Sequence, residues 1–145
     1  MENKIFYDLT NPQKSIWLTE QYFPNTSIGN VAGTLIFDSY VNFDVLEHSI
    51  NLFIKKNDSF RLKFSLNGSE PVQYVEPYTS FTVPIVLVND EDDVKKVEQD
   101  IVNTPFTILD SYLFKFSMFK FKNNKGGFIA NVHHLISDAW TLGLL

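Results

Sequence analysis

Two histidines stand side by side near the carboxyl end of the sequence, and a carboxylate follows them within one turn of chain. The segment is His133-His134-Leu135-Ile136-Ser137-Asp138, and it holds two of the three histidines in the chain. Imidazole titrates at about pH 6.5 and can take a proton from an attacking amine or hydroxyl, an effect typically worth about 10²–10⁴-fold in rate. These residue types favour acyl transfer, in which Asp138 orients the loop or pairs with a cation.

A metal site and a purely structural role are the other interpretations of this segment. Residues 128–133 are predicted to form an apolar strand, along which neighbouring side chains alternate between faces. His133 and His134 should therefore point to opposite faces, which argues against one metal ion held by both histidines and Asp138. In the structural interpretation, His134 bonds only backbone and Asp138 caps a helix. For a lone histidine we would prefer that interpretation, but the whole pattern of six residues favours a functional one.

The elements around this segment mix helices and strands without strict alternation, which favours an α+β sandwich over a doubly wound sheet. Thr10-Asn11-Pro12 is a helix-start signal, and Asp44 can cap a second helix. Residues 60–66 alternate between apolar and polar, which predicts a half-buried strand with Arg61 on its polar face. Asn67-Gly68 then predicts a hairpin. The remaining predictions are helices over 13–22 and from 92, and strands over 31–37, 72–75, 81–88, 112–121 and 128–133.

Composition excludes several classes of function. The 145 residues carry a net charge of -5 and no cysteine, so neither a nucleic-acid partner nor a disulfide or thiolate site is expected. The sequence has no apolar run of membrane-spanning length and no signal peptide, so no membrane is expected and a cytoplasmic location is the default. A third helix is predicted to start at Ser137 or Asp138, and the sequence ends about two turns after that start. We interpret the chain as a fragment of a longer domain.

Three segments, taken in order, resemble the condensation domains of nonribosomal peptide synthetases. Residues 132–141 are similar to the motif HHxxxDG followed by a hydroxyl residue. Thr10–Trp17 resembles the first family motif, which has a hydroxyl residue, a glutamine and an apolar-Trp pair. Lys56–Arg61 resembles the second motif, RHExLR, and retains its last arginine. The chain departs from the family at Ala139, which replaces glycine, at Thr141, where serine is common, and at Asn57, which replaces histidine.

The resemblance implies a fold and a division of labour among these residues. The fold is the chloramphenicol-acetyltransferase-like α/β sandwich, of which residues 1–145 form one lobe, the N-terminal subdomain, truncated after the HHxxxD motif. His134 would be the catalytic residue, facing a tunnel between two lobes, with His133 as a structural motif residue. Asp138 would be structural too, paired with Arg61, and we expect that pair to be buried.

The same resemblance implies the chemistry and the partners. The domain would join a donor acyl or peptidyl group to the amine of an aminoacyl acceptor. Both are carried on the 4'-phosphopantetheine arms of carrier proteins, so the domain needs no metal or cofactor of its own. Its partners are carrier protein domains and the missing C-terminal half, without which the fragment should be inactive. The alternatives are an acyl-CoA-dependent acyltransferase of the same fold and a non-catalytic lobe that docks carrier proteins.

Overall fold

The computed structural model describes residues 4–138, which form three helices and seven strands. The order is β1 (Tyr7–Asp8), α1 (Asn11–Tyr22), β2 (Asn30–Phe37), α2 (Phe43–Lys56), a 3₁₀ turn (Asp58–Arg61), β3 (Leu62–Asn67), β4 (Glu70–Val75), β5 (Ile85–Leu87), α3 (Glu91–Asn103), β6 (Phe114–Lys120) and β7 (Gly126–His133). The predicted third helix, with Ala139, Trp140 and Thr141, lies outside the described residues. The mixture of elements agrees with the predicted α+β class.

The strands form two sheets, and the larger one places the histidines. Its order is β2-β7-β6-β5, with only the β5–β6 pair parallel. The register of β2 and β7 pairs Asn30 with His133, so the end of β7 lies beside the start of β2. The smaller sheet has the order β1-β4-β3. The histidines therefore lie at the carboxyl end of β7, beside the start of β2.

The central strand β7 is buried along its whole length because helices cover both faces of the large sheet. Phe128, Ala130 and Val132 belong to the main core, which also contains buried side chains of α1 and α2. Ile129 lies in a second cluster with Val94 and Ile101 of α3. Successive side chains of β7 thus pack alternately into the two clusters on opposite faces of the sheet. Both faces are apolar, which accounts for the apolar run that precedes the histidines.

Several predicted elements hold and others shift for identifiable reasons. The hairpin is confirmed, with Gly68 at φ +64 in its loop, a conformation that favours glycine. The second helix begins at Phe43 and is capped by Asn42, whose side chain accepts from two backbone amides, so the expected cap at Asp44 is wrong. The predicted buried strand over 31–37 is present, but it lies at the sheet edge and Leu35 is 44% exposed.

The predicted strand over 81–88 shrinks to Ile85–Leu87. The backbone amide of Phe81 donates to Asn51 Oδ1 and that of Val83 donates to Glu47 Oε1, both at 2.7 Å. Side chains of α2 therefore take the hydrogen bonds that a strand partner would have taken, and the segment follows the helix instead. Similarly, the strand predicted from Phe60 starts at Leu62, because Asp58–Arg61 form a 3₁₀ turn.

Candidate functional site

The loop that follows β7 is held to neighbouring elements by backbone hydrogen bonds. The amide of His134 donates to the carbonyl of Gly29 at 2.8 Å, just before β2 begins. The amide of Ile136 and the hydroxyl of Ser137 both donate to the carbonyl of His133, at 3.0 and 3.1 Å. The loop is therefore a closed turn with a defined conformation.

His134 is exposed at the start of this turn, and a contact of its ring with the backbone fixes its tautomer. Its Nδ1 lies 2.7 Å from the carbonyl oxygen of Ser137. A carbonyl can only accept, so Nδ1 carries the proton and donates it, and Nε2 of the neutral ring keeps a lone pair. His134 lines an open cavity of about 440 Å³. The ring is thus arranged as a proton acceptor at the wall of a solvent-accessible cavity.

The cavity lies between the histidine turn, the first turn of α1 and the small sheet. Its described lining consists of Tyr7, Thr10, Pro12, Gln13, Ile16, Leu62, Gln73, His134, Leu135, Ile136, Ser137 and Asp138. The apolar members can cover a hydrocarbon part of a ligand, and the polar members can orient it. All three motif segments or their immediate neighbours reach this cavity.

Gln13 ties the first motif directly to the histidine turn. Its Nε2 donates to the carbonyl of Leu135 at 3.1 Å and to Oε1 of Gln73 at 2.8 Å. Its Oε1 accepts from the amide of Thr10, which completes a capping box at the start of α1. One side chain therefore satisfies the helix end and a loop carbonyl together, which explains why a glutamine is suited to this position.

His133 is buried and has a different environment from His134. Its Nε2 lies 3.1 Å from Oε1 of Glu20, and both side chains are almost completely enclosed. The amide of Leu135 donates to its Nδ1 at 3.1 Å, so Nε2 carries the proton of the neutral ring and donates it to Glu20. The edge of the Phe106 ring also packs against this imidazole. The two histidines make separate contacts, as strand alternation predicts.

Burial lowers the pKa of His133 below its usual value, and this outweighs the opposing effect of the Glu20 carboxylate. The unfolded chain binds a proton at this histidine more readily than the native protein does. The stability that depends on neutral His133 should therefore be fully present above about pH 6.5. It should fall as the pH drops below that value.

We expect urea midpoints of the wild-type protein to decrease between about pH 7.5 and pH 5.5 by more than those of His133→Gln. The amide of the variant does not titrate, so the difference between the two proteins removes the contribution of the carboxylates that do not contact His133. Equal pH dependence in both proteins would contradict the assignment of His133 as a buried neutral histidine.

Arg61 is largely buried, as expected, whereas Asp138 is exposed. Arg61 donates from Nη1 to the carbonyl of Glu76 at 3.0 Å and pairs with Asp58. Its side chain is only 14% exposed, which agrees with the expected burial and not with the polar strand face that alternation alone predicts. Its Nε is buried and finds no hydrogen-bond acceptor among residues 4–138. Asp138 lines the cavity and is exposed, so the expectation of a buried carboxylate is wrong, because the turn leaves it at the surface.

Glu20, Gly29 and Gln73 are parts of this site that sequence reasoning missed. Glu20 follows Trp17 by three residues, and both are buried on the same side of α1. A carboxylate on the apolar face of a helix was therefore a visible signal of a buried partner. Gly29 and Gln73 carried no such signal, because their roles depend on elements distant in sequence. Trp17 is buried, as expected for a core residue.

The described residues offer no metal site and no membrane span. Among residues 4–138, no group of three or more histidine, cysteine or acidic side chains is placed to hold an ion. No helix in the same range has the length and apolar character needed to cross a bilayer.

Comparison with known protein families gives one match over almost the whole chain. The family model described as "Condensation domain" matches residues 3–145. Surfactin synthase subunit 1 of Bacillus subtilis (strain 168) is 38% identical over 149 residues, covering 97% of this chain and 4% of that protein. Tyrocidine synthase 3 of Brevibacillus parabrevis is 26% identical over 145 residues, covering 100% of this chain and 2% of that protein. The chain thus spans only a small part of these relatives.

Solved structures show the same fold. The starter condensation domain of the rhizomide synthetase RzmA superposes with a TM-score of 0.87 at 19% identity, covering 97% of this chain and 35% of that chain. The first condensation domain of the CDA synthetase gives a TM-score of 0.80 at 16% identity, covering 90% and 36%. At these identities the likeness concerns the fold alone, and the fold is that of one part of a larger domain.

Proposed function

The chain belongs to the condensation domain family, and from this premise we propose that it supplies the proton-accepting histidine of an amide-forming acyl transfer in nonribosomal peptide synthesis. The donor is an acyl or peptidyl group and the acceptor is an aminoacyl group. Each is held as a thioester on the phosphopantetheine arm of a carrier protein. The 38% identity to a protein named as a surfactin synthase subunit supports this class of reaction.

The observation that carries the proposal is the hydrogen bond from His134 Nδ1 to the carbonyl of Ser137. It leaves the Nε2 lone pair unused by this bond on a ring that lines the cavity. Because a general base must have its lone pair within reach of the proton it accepts, this tautomer is the useful one. The second histidine cannot take this role, because both of its ring nitrogens already have partners within the core.

The proposed reaction balances with His134 carrying one proton from the amine to the departing sulfur. The acceptor amine attacks the thioester carbonyl, a C–N bond forms, and Nε2 takes the proton that the nitrogen loses. The C–S bond then breaks, and the departing sulfur of the donor arm receives the proton. The reaction needs no metal or redox partner, and the histidine ends in its starting form.

We further propose that residues 1–145 form the N-terminal lobe of a two-lobed domain. The chain covers about a third of the solved condensation domain chains that it matches, which supports this division. The cavity beside His134 is open, and a second lobe facing it would enclose the reactants and exclude water. Enclosure matters because a thioester exposed to water can hydrolyse instead of transferring its acyl group.

The direct test is a single-turnover assay with the complete protein and two loaded carrier proteins. We expect amide product on the acceptor carrier, detected by mass spectrometry, and none when the acceptor carrier lacks its aminoacyl group. A parallel reaction offers acyl-CoA and a free amine at equal concentration. Faster turnover of that soluble pair would replace our proposal with an acyl-CoA-dependent acyltransferase, and no turnover in either reaction would support a lobe that only docks carriers.

The pairing of Arg61 with Asp138 remains a proposal. The position of Asp138 in the lining of the cavity beside Leu62, the residue that follows Arg61, supports it. Because Asp138 is exposed, solvent should weaken the pair, and we expect a coupling of about 0.5–1 kcal/mol.

A double-mutant cycle measures this coupling. Arg61→Ala and Asp138→Ala together should lower the unfolding free energy by less than the sum of the two single effects. Arg61→Ala combined with Asp44→Ala, which removes an exposed carboxylate from α2, should be additive. Additivity in both cycles would remove the proposed pair and would leave the role of His134 untouched.

A further inference from the structure

Glu20 is a buried carboxylate to which neither the motifs nor the proposed reaction assigns a role. It lies in the third turn of α1 and is 7% exposed. Burying a carboxylate is costly unless a specific partner compensates it. The partner here is Nε2 of His133, at 3.1 Å. A chain that needed only core packing would gain more from an apolar side chain at this position.

The hydrogen bonds of the His133 ring depend on the proton that Glu20 holds at Nε2. With that proton in place, Nδ1 has a lone pair and accepts the amide of Leu135 at 3.1 Å. If the proton moved to Nδ1, two N–H groups would face each other and the bond to Leu135 would be lost. Glu20 and the Leu135 amide therefore favour the same tautomer, and Glu20 is the side chain that stabilises the proton at Nε2.

The effect reaches His134 through the same short turn. Ser137 donates its hydroxyl to the carbonyl of His133, and the carbonyl of Ser137 accepts from Nδ1 of His134. Gly29, whose carbonyl accepts from the amide of His134, lies directly against the Glu20–His133 pair. Glu20 itself is absent from the described lining of the cavity, so it has no access to a reactant.

We propose that Glu20 is a positioning residue, which holds His133 in its Nε2-protonated tautomer and thereby fixes the turn that orients His134. This inference rests on the proposed function for its consequence in catalysis, but its structural part can be tested independently. Glu20 donates no proton to substrate and contacts no reacting atom. Its contribution is to keep the lone pair of His134 aimed into the cavity.

The kinetic test compares three variants of α1 in single-turnover transfer. Glu20→Met removes the acceptor and should lower the rate at saturating substrate about tenfold to a hundredfold, with little change in the half-saturating concentration, because the cavity walls are intact. Glu20→Gln keeps an oxygen acceptor and should stay within about threefold of wild type. Gln21→Met makes the same apolar change at the exposed neighbouring position and should have no effect.

The tautomers provide a readout that does not depend on activity. Nitrogen chemical shifts of ¹⁵N-labelled histidine, assigned with His133→Gln and His134→Gln, should show the proton on Nε2 of His133 and on Nδ1 of His134. In Glu20→Met both assignments should become mixtures. If the wild-type protein performs no condensation, the proposed function fails, while these shifts still decide the role of Glu20.

Three results would overturn the inference: unchanged shifts in folded Glu20→Met, an undiminished rate in that variant, or a loss in Glu20→Gln as large as in Glu20→Met. If Glu20→Met does not fold, Glu20→Gln decides. The Glu20→Gln protein must then keep His133 protonated at Nε2 and remain within about threefold of the wild-type rate. A transfer of the proton to Nδ1 in this variant would reject the proposal.

Discussion

Replacing His134 with alanine should lower the single-turnover rate of amide formation by about 10²–10⁴-fold, the usual contribution of a positioned general base. The loss should appear at saturating substrate, because the ring acts on the proton of the attacking amine and contributes little to binding. The assay is transfer between loaded carrier proteins in the complete protein, followed by mass spectrometry of the acceptor carrier.

The fold should survive this change. His134 is exposed and its ring makes one hydrogen bond, to the Ser137 carbonyl, so the stability should change by only about 1 kcal/mol. His48→Ala provides a matched control, because His48 is the third histidine of the chain and lies on α2, away from the described lining of the cavity. A His134→Ala protein that transfers at the wild-type rate would remove His134 from the mechanism.

The second large effect is expected at Gly29, where alanine should lower the free energy of unfolding by about 3 kcal/mol. A Cβ at this position would lie 2.2 Å from Nε2 of His133 and 2.7 Å from Oε1 of Glu20. Both are buried side chains with little room to move. The backbone at position 29 must therefore move. Because the carbonyl of Gly29 also accepts from the amide of His134, this movement should displace the proposed base and abolish transfer as well.

Gly33 gives a close control for this prediction. It lies in β2 four residues later, and a Cβ there meets no atom within 4 Å. Gly33→Ala should leave stability unchanged or raise it by up to about 1 kcal/mol, because alanine restricts the unfolded chain. Chemical denaturation of both variants measures the difference, and equal midpoints would contradict the close packing of Gly29 on the histidine pair.

Local patterns determined most of the elements and separated the two histidines. The period of apolar residues predicted β7 and the helices, and alternation along a strand separated His133 from His134. Both depend on neighbours within a few residues, so a single sequence contains them. The Asn67-Gly68 signal likewise predicted the hairpin, because the positive φ of Gly68 is a property of one residue. The ordered motifs predicted the family, and the family model confirms it.

Local patterns failed where a hydrogen bond from a distant element replaced a local one. Residues 81–84 have the composition of a strand, but Asn51 and Glu47 of α2 take their backbone amides. Arg61 alternates with apolar residues, yet a 3₁₀ turn and the carbonyl of Glu76 hold it away from solvent. Such partners lie 15 to 36 positions away, and no spacing rule specifies them.

The sequence by itself predicted that the two histidines point to opposite faces, and the family resemblance implied that His134 is the base. Only the tertiary structure decided how that histidine is held. Glu20 contacts His133 across 113 positions, and Gln13 reaches Leu135 across 122. These bonds fix protons and loop carbonyls, and they exist only once α1 has packed against the large sheet. A proton on one ring nitrogen depends on the partner of the other, and that partner is chosen by the fold.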